Sequence, residues 1–247
     1  MNIVDEASTA HLKASVQPCR TVAQMDGQAA VQAVNGCFGR WGLPENIKID
    51  NGQPFVNPKS RDVPTLAKLW WVGLGVNVIQ NTPKCPEQNG AVECSQGVMN
   101  SWSNPASQPD KEALQQRLDE ESEFQRNHYR IPSKKYKARI ELYPGLINNP
   151  RPYSPELFDM ERVYAYLSRQ AWQRSVKDNG QVKMFSNWIY IGTRFAKETV
   201  TVTFDPLEAQ WLFRKNDGTL LKASNVGIPT EKEIKDFALV SKNLDIT

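Results

Sequence analysis

Hydrophobic and polar positions in the first half of the chain alternate between the period of strands and the period of helices. Apolar or alternating stretches at 1–4, 10–16, 47–49 and 76–79 are typical of β-strands. Apolar residues at helical spacing predict helices over 26–41, 65–74, 93–98 and 111–126. Asp26 is a plausible N-cap of the first helix, and Gly42-Leu43-Pro44 ends it. Strands that alternate with helices in this way predict a parallel α/β sheet.

The second half has a different pattern. Prolines punctuate the stretch 131–155, which predicts an extended linker. Short strand candidates follow from Trp172 onward, at 182–185, 188–191, 199–204, 210–213 and 219–221. Asn179-Gly180 and Asp217-Gly218 supply tight turns. This series of short strands predicts a small all-β barrel.

Composition narrows the class of protein. The 247 residues have 40% hydrophobic and 23% charged content, which is ordinary for a globular protein, and a net charge of +3. The basic excess is local, because Lys134 to Lys222 contains 15 Lys and Arg against 9 Asp and Glu. A basic second half permits a nucleic-acid partner.

Several classes of protein are disfavoured. The four cysteines form no C-x-x-C pair and lie near no histidine cluster, which argues against a zinc site and a secreted disulfide framework. Neither a signal peptide nor a run of membrane-spanning length is visible, so a cytoplasmic protein without a membrane partner is expected. Nothing in the spacing of Cys85 or Cys94 relative to His128 supports a nucleophile–base pair.

Asp50 is the first candidate for catalytic chemistry. It ends a predicted strand and is followed by Asn51-Gly52, so a hairpin turn is the alternative interpretation. The segment 53–58 contains two prolines, which a returning strand does not accommodate. A carboxylate at the C-terminal end of a parallel strand lies where α/β sheets place their sites. The pattern therefore slightly favours a functional Asp50.

Glu93 is the second candidate, at the start of a predicted helix. A solvent-facing helix residue is the alternative interpretation. The polar loop before it offers Lys84, Gln88 and Asn89 as donors to phosphate oxygens. Two carboxylates placed like Asp50 and Glu93 can share divalent metal ions, an arrangement that cuts and joins phosphodiester backbones.

The motifs around these acids occur in a characteristic order. They are Arg40-Trp41-Gly42-Leu43-Pro44, Ile49-Asp50-Asn51-Gly52, Leu74-Gly75-Val76 and Gln88-Asn89-Gly90-Ala91-Val92-Glu93, the last preceded by Pro83 and Pro86. Over residues 1–125 this order and spacing resembles the retroviral-integrase catalytic core shared with bacterial insertion-sequence transposases. The resemblance implies an RNase H-like fold with three carboxylates, two Mg²⁺ (or Mn²⁺) ions and attack on DNA phosphate. Asp50 then matches the second acid and Glu93 the third.

The chain departs from this family in three places. Val4-Asp5-Glu6-Ala7-Ser8 matches the end of the family's second strand, so the first strand and its Asp are expected to be absent. Asp5 is a tempting substitute, but we interpret it as a turn residue bonded to nearby backbone. The interval between Asp50 and Glu93 is long, which a surface loop at 56–64 tolerates. No basic residue follows directly after Glu93.

The sequence therefore predicts an N-terminally truncated, catalytically impaired transposase. The expected parts are an RNase H-like core lacking its first strand at 1–125, a linker with helical and extended pieces at 126–170, a small β-barrel at 171–223 and a tail at 224–247. DNA is the expected partner, through Arg174 and Lys177 among others, with a second copy or full-length transposase subunits. The expected location is the bacterial cytoplasm, at the nucleoid when DNA is bound. A non-catalytic DNA- or transposase-binding module and a decayed reading frame are the alternatives.

Two aromatic pairs could stack on nucleic-acid bases. They are Trp70-Trp71 and Trp188 with Tyr190. Such residues more often fill a core, so we predict that both pairs are buried.

Overall fold

A computed structural model describes residues 1–16, 26–52, 55–57, 62–82, 85 and 90–240. Within these residues the fold is mixed α/β, with one four-stranded sheet and three two-stranded sheets. The chain divides into two compact units. Unit 1 is Met1–Pro54 with Val78–Ser154, and unit 2 is Phe55–Asn77 with Pro155–Thr247. Across the described ranges, each helix is too short or too polar to cross a lipid bilayer.

The helices and strands follow the chain in a fixed order. They are β1 (Asn2–Asp5), β2 (Ala10–Ala14), α1 (Gly27–Trp41), β3 (Asn46–Ile49), α2 (Leu66–Gly73), β4 (Asn77–Gln80), α3 (Gly90–Ser103), α4 (Lys111–Asn127), α5 (Arg139–Leu142), α6 (Met160–Ser168), β5 (Ala171–Ser175), β6 (Gln181–Met184), β7 (Asn187–Tyr190), β8 (Thr199–Asp205), β9 (Gln210–Arg214), β10 (Leu220–Ser224) and α7 (Glu231–Leu239). The predicted strands and helices of the first half are confirmed to within a few residues.

The strands of unit 1 pair as two separate sheets. β1 and β2 form an antiparallel hairpin whose register runs from Asn2 opposite Ala14 to Asp5 opposite Ala10. The four residues between these strands leave no room for the crossover that a parallel pair needs, so the pair is antiparallel. β3 pairs with β4. The Asn81 N–H donates to the Ile49 carbonyl at 3.0 Å, so the C-terminal ends of β3 and β4 meet.

Helix α4 packs along β2 and bonds to its backbone through two glutamines. The side-chain amides of Gln115 and Gln125 each donate to one backbone carbonyl and accept from one backbone N–H. The four backbone groups are Ala14 O, Val16 N, Thr9 O and His11 N, at 2.9 to 3.1 Å. A primary amide matches the donor and acceptor pattern of a peptide group. The two glutamines therefore satisfy a strand edge that would otherwise be unpaired.

Unit 2 is built on an open antiparallel sheet in the order β10, β9, β8, β5. The hairpin of β6 and β7 is a separate two-stranded sheet. The strands predicted here are confirmed, but among the described residues they do not close into a barrel. β5 and α7 were not predicted, whereas α6 lies in the stretch 126–170 that was expected to contain helical and extended pieces. Helix α2 packs against α6 and α7, with Trp70 stacked on Phe158 at 5.2 Å between ring centres.

The first helix offers a direct test of its predicted cap. Asp26 Oδ1 accepts hydrogen bonds from Gln28 N at 2.7 Å and Ala29 N at 3.3 Å. Replacing Asp26 with alanine leaves both N–H groups without this acceptor, and we expect a loss of about 1 kcal/mol in the free energy of unfolding. Urea denaturation monitored by circular dichroism measures it. Asp26→Ser keeps an acceptor and should retain wild-type stability; equal stability of the two variants would contradict the capping role.

Candidate functional site

Asp50 lies directly after β3, with an exposed side chain next to the buried Ile49. Its Oδ1 accepts the Gly52 N–H at 3.0 Å, which forms a tight turn. A Cβ atom at position 52 would lie 3.1 Å from this oxygen, so glycine gives the carboxylate room to fold back. Oδ2 of Asp50 accepts no hydrogen bond from the described residues.

The residue after Asp50 joins the ends of two strands. Asn51 Nδ2 donates to the Asn81 carbonyl at 2.9 Å, and Gln80 Nε2 donates to Asn51 Oδ1 at 2.8 Å. Asn81 is buried, so this link fixes the backbone beside Asp50. Sequence reasoning missed Asn51 and Gln80. Their only signal was that Asn51 stands next to a candidate acid.

Glu93 lies in the first turn of α3 and is exposed. The positive end of a helix dipole favours a carboxylate there. Glu93 takes part in none of the ion pairs formed by the described residues. Asp50 and Glu93 both belong to unit 1. Their sharing of one metal ion stays a prediction.

A buried histidine fixes α3 to β2 close to Glu93. His11 is fully buried, and its Nε2 lies 3.1 Å from the Ser95 carbonyl and also contacts Ser95 Oγ. The pKa of His11 is lowered to about 4, mainly by burial and in smaller part by the nearby cations of Arg139 and Arg126, while the hydrogen bond with the Ser95 carbonyl acts in the opposite direction. The imidazole is therefore neutral at physiological pH. Ser95 stands two residues after Glu93, so the contact positions the start of α3.

The carboxylate of Asp5 is hydrogen-bonded within the turn between β1 and β2. Asp5 Oδ2 accepts the Ser8 N–H at 2.8 Å and also the Ser8 hydroxyl. This confirms the interpretation of Asp5 as a turn residue bonded to nearby backbone. The hairpin between β1 and β2 uses the carboxylate to stabilise its own connection.

The predicted DNA-binding residues have different surroundings. Lys84, Gln88 and Asn89 lie outside the described residues. Arg174 on β5 forms an ion pair with Asp62 at 2.6 Å, and its side chain is 17% exposed. Lys177 is exposed in the turn that follows β5. The contact of Arg174 and Lys177 with DNA stays a prediction.

The aromatic pairs differ from each other. Trp70 and Trp71 are fully buried, as predicted. Trp188 and Tyr190 are 46% and 51% exposed, so the prediction that they fill a core is wrong. Between them on β7, Ile189 is 3% exposed and takes the core position. Side chains alternate across a strand, and burying Ile189 turns both aromatic rings outward.

The donor set of the two acids fits a hard divalent cation. Mg²⁺ is often bound through one or two carboxylates plus water and substrate phosphates. Asp50 and Glu93 are exposed carboxylates of this type. In the part of the chain that the structure describes, no group of three or more His, Cys, Asp and Glu side chains is placed to hold a metal ion.

No family model matches the chain, and no curated protein matches it.

Proposed function

We propose that the chain is a transposase- or integrase-type protein of DNA integration and transposition. Its chemistry would be metal-dependent cleavage and transfer of DNA strands, in a catalytically impaired form. The observation that carries this proposal is the exposed Asp50 carboxylate at the edge where the ends of β3 and β4 meet. Open α/β sheets bind their ligands outside the carboxyl ends of their strands.

The order of elements supports an RNase H-like core. A hairpin, α1, β3, α2, β4 and the acid-bearing α3 follow one another as the resemblance implies. In unit 2 the described strands do not close into a barrel, but the four-stranded sheet and the β6–β7 hairpin support a small domain rich in β-strands of the kind that the resemblance implies. Arg174 and Lys177 of this unit are proposed to contact DNA, and a second copy or full-length transposase subunits are proposed as protein partners.

Asp50 and Glu93 would hold the Mg²⁺ or Mn²⁺ of this chemistry. The metal supplies Lewis-acid polarisation of a phosphate oxygen and activation of water or a 3′-hydroxyl. The protein's own contribution is positional. Asn51, bonded to Gln80 and Asn81, fixes the strand end that carries Asp50, and the Ser95–His11 contact fixes the start of α3.

Two observations support catalytic impairment. The family uses three acids, and only Asp50 and Glu93 match its motifs. Asp5 is bonded to Ser8 within a turn and does not complete the set. Within the described residues the strands of unit 1 also form two separate sheets, in place of the single mixed sheet that the resemblance implies.

Activity on DNA tests the proposal. We expect no appreciable nicking or strand transfer by the 247-residue chain with Mg²⁺ or Mn²⁺. Fusion of an N-terminal strand bearing an aspartate should restore cleavage, and Asp50→Asn should abolish the restored activity. Gel analysis of labelled duplex DNA measures both.

Asp217→Asn is the matched control. Its carboxylate accepts the Thr219 N–H at 2.8 Å, in a turn of the same kind as that of Asp50, but within unit 2. This variant should retain the restored activity. Robust cleavage by the unextended chain that Asp50→Asn removes would refute the impairment, and an inactive fusion that binds no DNA would refute the function.

A non-catalytic module that binds DNA or transposase subunits is the second candidate. The occupied carboxylate of Asp5 favours it, because a binding module needs no complete acid set. In that case the fusion protein would stay inactive while the chain still bound DNA, and Asp50→Asn would leave binding unchanged.

A further inference from the structure

The β6–β7 hairpin has two chemically different faces. Its antiparallel register places Lys183 opposite Trp188 and Gln181 opposite Tyr190. The inner face is apolar, with Val182, Met184 and Ile189 buried to 3% exposure or less. The alternate residues Lys183, Trp188 and Tyr190 are exposed on the other face. We call this set the outer hairpin face.

The outer hairpin face presents two aromatic rings side by side. Trp188 and Tyr190 are two residues apart on one strand, which separates them by about 6.8 Å along β7. They are 46% and 51% exposed, so each ring offers apolar surface to solvent. Two adjacent exposed rings form a platform on which successive bases of a nucleic acid can stack.

Two lysines accompany these rings. Lys183 Nζ lies 5.8 Å from the centre of the Trp188 ring, a cation–π distance. Lys222 Nζ donates to the Tyr190 carbonyl at 2.7 Å. Neither lysine forms an ion pair with a described residue. One positive charge therefore adjoins the Trp188 ring, and a second lies at the backbone of Tyr190.

We propose that the outer hairpin face binds single-stranded nucleic acid. Bases stack on Trp188 and Tyr190, and Lys183 and Lys222 neutralise the adjoining phosphates. The two lysines select a polyanion over an apolar protein partner, and only unpaired bases expose the ring faces that stack. The inference rests on the proposed function for its choice of nucleic acid as partner, but it does not depend on the metal chemistry.

Binding of a fluorescent oligothymidylate tests this proposal. The strand has roughly 15 nucleotides, a length close to the upper site size of one small β domain. Anisotropy titration of the full chain gives the Kd. Trp188→Ala and Tyr190→Ala should each raise the Kd about 5- to 150-fold, the range for loss of one stacked base. Trp188→Phe and Tyr190→Phe keep an aromatic face and should retain most of the affinity. Leu207→Ala, at a residue 92% exposed in the turn after β8, should leave the Kd unchanged.

An abasic strand of the same length separates stacking from charge. The protein should bind this strand less tightly than oligothymidylate, and Trp188→Ala should not change its affinity for the abasic strand. Lys183→Gln should lower the affinity for both strands. Binding of oligothymidylate that Trp188→Ala leaves unchanged would overturn the inference, and so would equal losses for the two strands. Absence of single-strand binding would overturn it as well. Self-association that depends on Trp188, measured by sedimentation, would also overturn it and would show that the outer hairpin face forms contacts between copies of the chain.

The same variants separate this inference from the proposed function. Asp50→Asn should leave oligothymidylate binding intact while it removes the cleavage restored by the fusion. If cleavage is never restored but Trp188→Ala still weakens binding, the enzymatic proposal fails and the stacking face stands. If cleavage is restored and Trp188→Ala binds normally, only the stacking face fails.

Discussion

Replacement of Trp211 by alanine is expected to destabilise unit 2 by about 3–5 kcal/mol, the cost of removing a large buried aromatic side chain. Trp211 on β9 is fully buried. Its ring centre lies 4.9 Å from that of Phe204 and 5.6 Å from those of Trp172 and Phe185. The alanine variant leaves a cavity that three rings on other segments cannot fill without moving.

Two substitutions serve as controls for this prediction. Trp211 Nε1 has no hydrogen-bond partner among the described residues, so Trp211→Phe removes volume but no hydrogen bond and should cost much less than alanine. Trp188→Ala removes an exposed ring and should change stability by no more than about 0.5 kcal/mol. Urea denaturation followed by near-ultraviolet circular dichroism compares the three variants. If Trp211→Ala lowers the free energy of unfolding no more than Trp188→Ala does, this aromatic cluster does not stabilise the sheet.

The sequence predicts those elements whose signals are local. The side chains of β8, Thr199–Asp205, alternate between buried and at least partly exposed positions, and this alternation is visible in the sequence. Helix α1 has its Asp26 cap and its terminating glycine within its own segment. Strand β5 escaped prediction because a single apolar residue, Trp172, is buried within it, and α7 because a short polar helix gains its stability from packing on α2.

The candidate site shows the same division between local and long-range information. Asp50 was found because an acid at the end of an apolar strand is a local pattern. The bond from Gln80 to Asn51 joins residues 29 positions apart, and no pattern within either segment reports it. Trp188 and Tyr190 were misassigned because alternation shows that Ile189 faces away from them without showing which face is the core.

The stability of unit 1 is expected to fall in acid because of His11. The folded pKa of this histidine is about 4, below its ordinary value of 6.5, and burial is the main cause. The unfolded chain therefore binds a proton at a higher pH than the folded chain does, so stability rises with pH across this interval. The contribution is complete above pH 6.5 and is lost progressively as the pH falls toward 4. Its upper limit is about 3 kcal/mol, at 1.36 kcal/mol for each unit of pKa difference.

The free energy of unfolding, measured by urea denaturation from pH 7.5 to pH 4, tests this prediction. Carboxylates also titrate toward the lower end of this range, so the informative quantity is the difference from His11→Gln. Glutamine carries a side-chain amide in place of the imidazole and does not titrate. The variant should be less stable at pH 7.5, because it loses the contact of the imidazole with Ser95. Its stability should fall less steeply than that of the wild type as the pH is lowered. Parallel pH profiles for the two proteins would show that His11 does not bind its proton on unfolding. A shallower pH dependence of His11→Gln below pH 6.5, with no difference in slope above it, would instead confirm both the sign and the pH window of the effect.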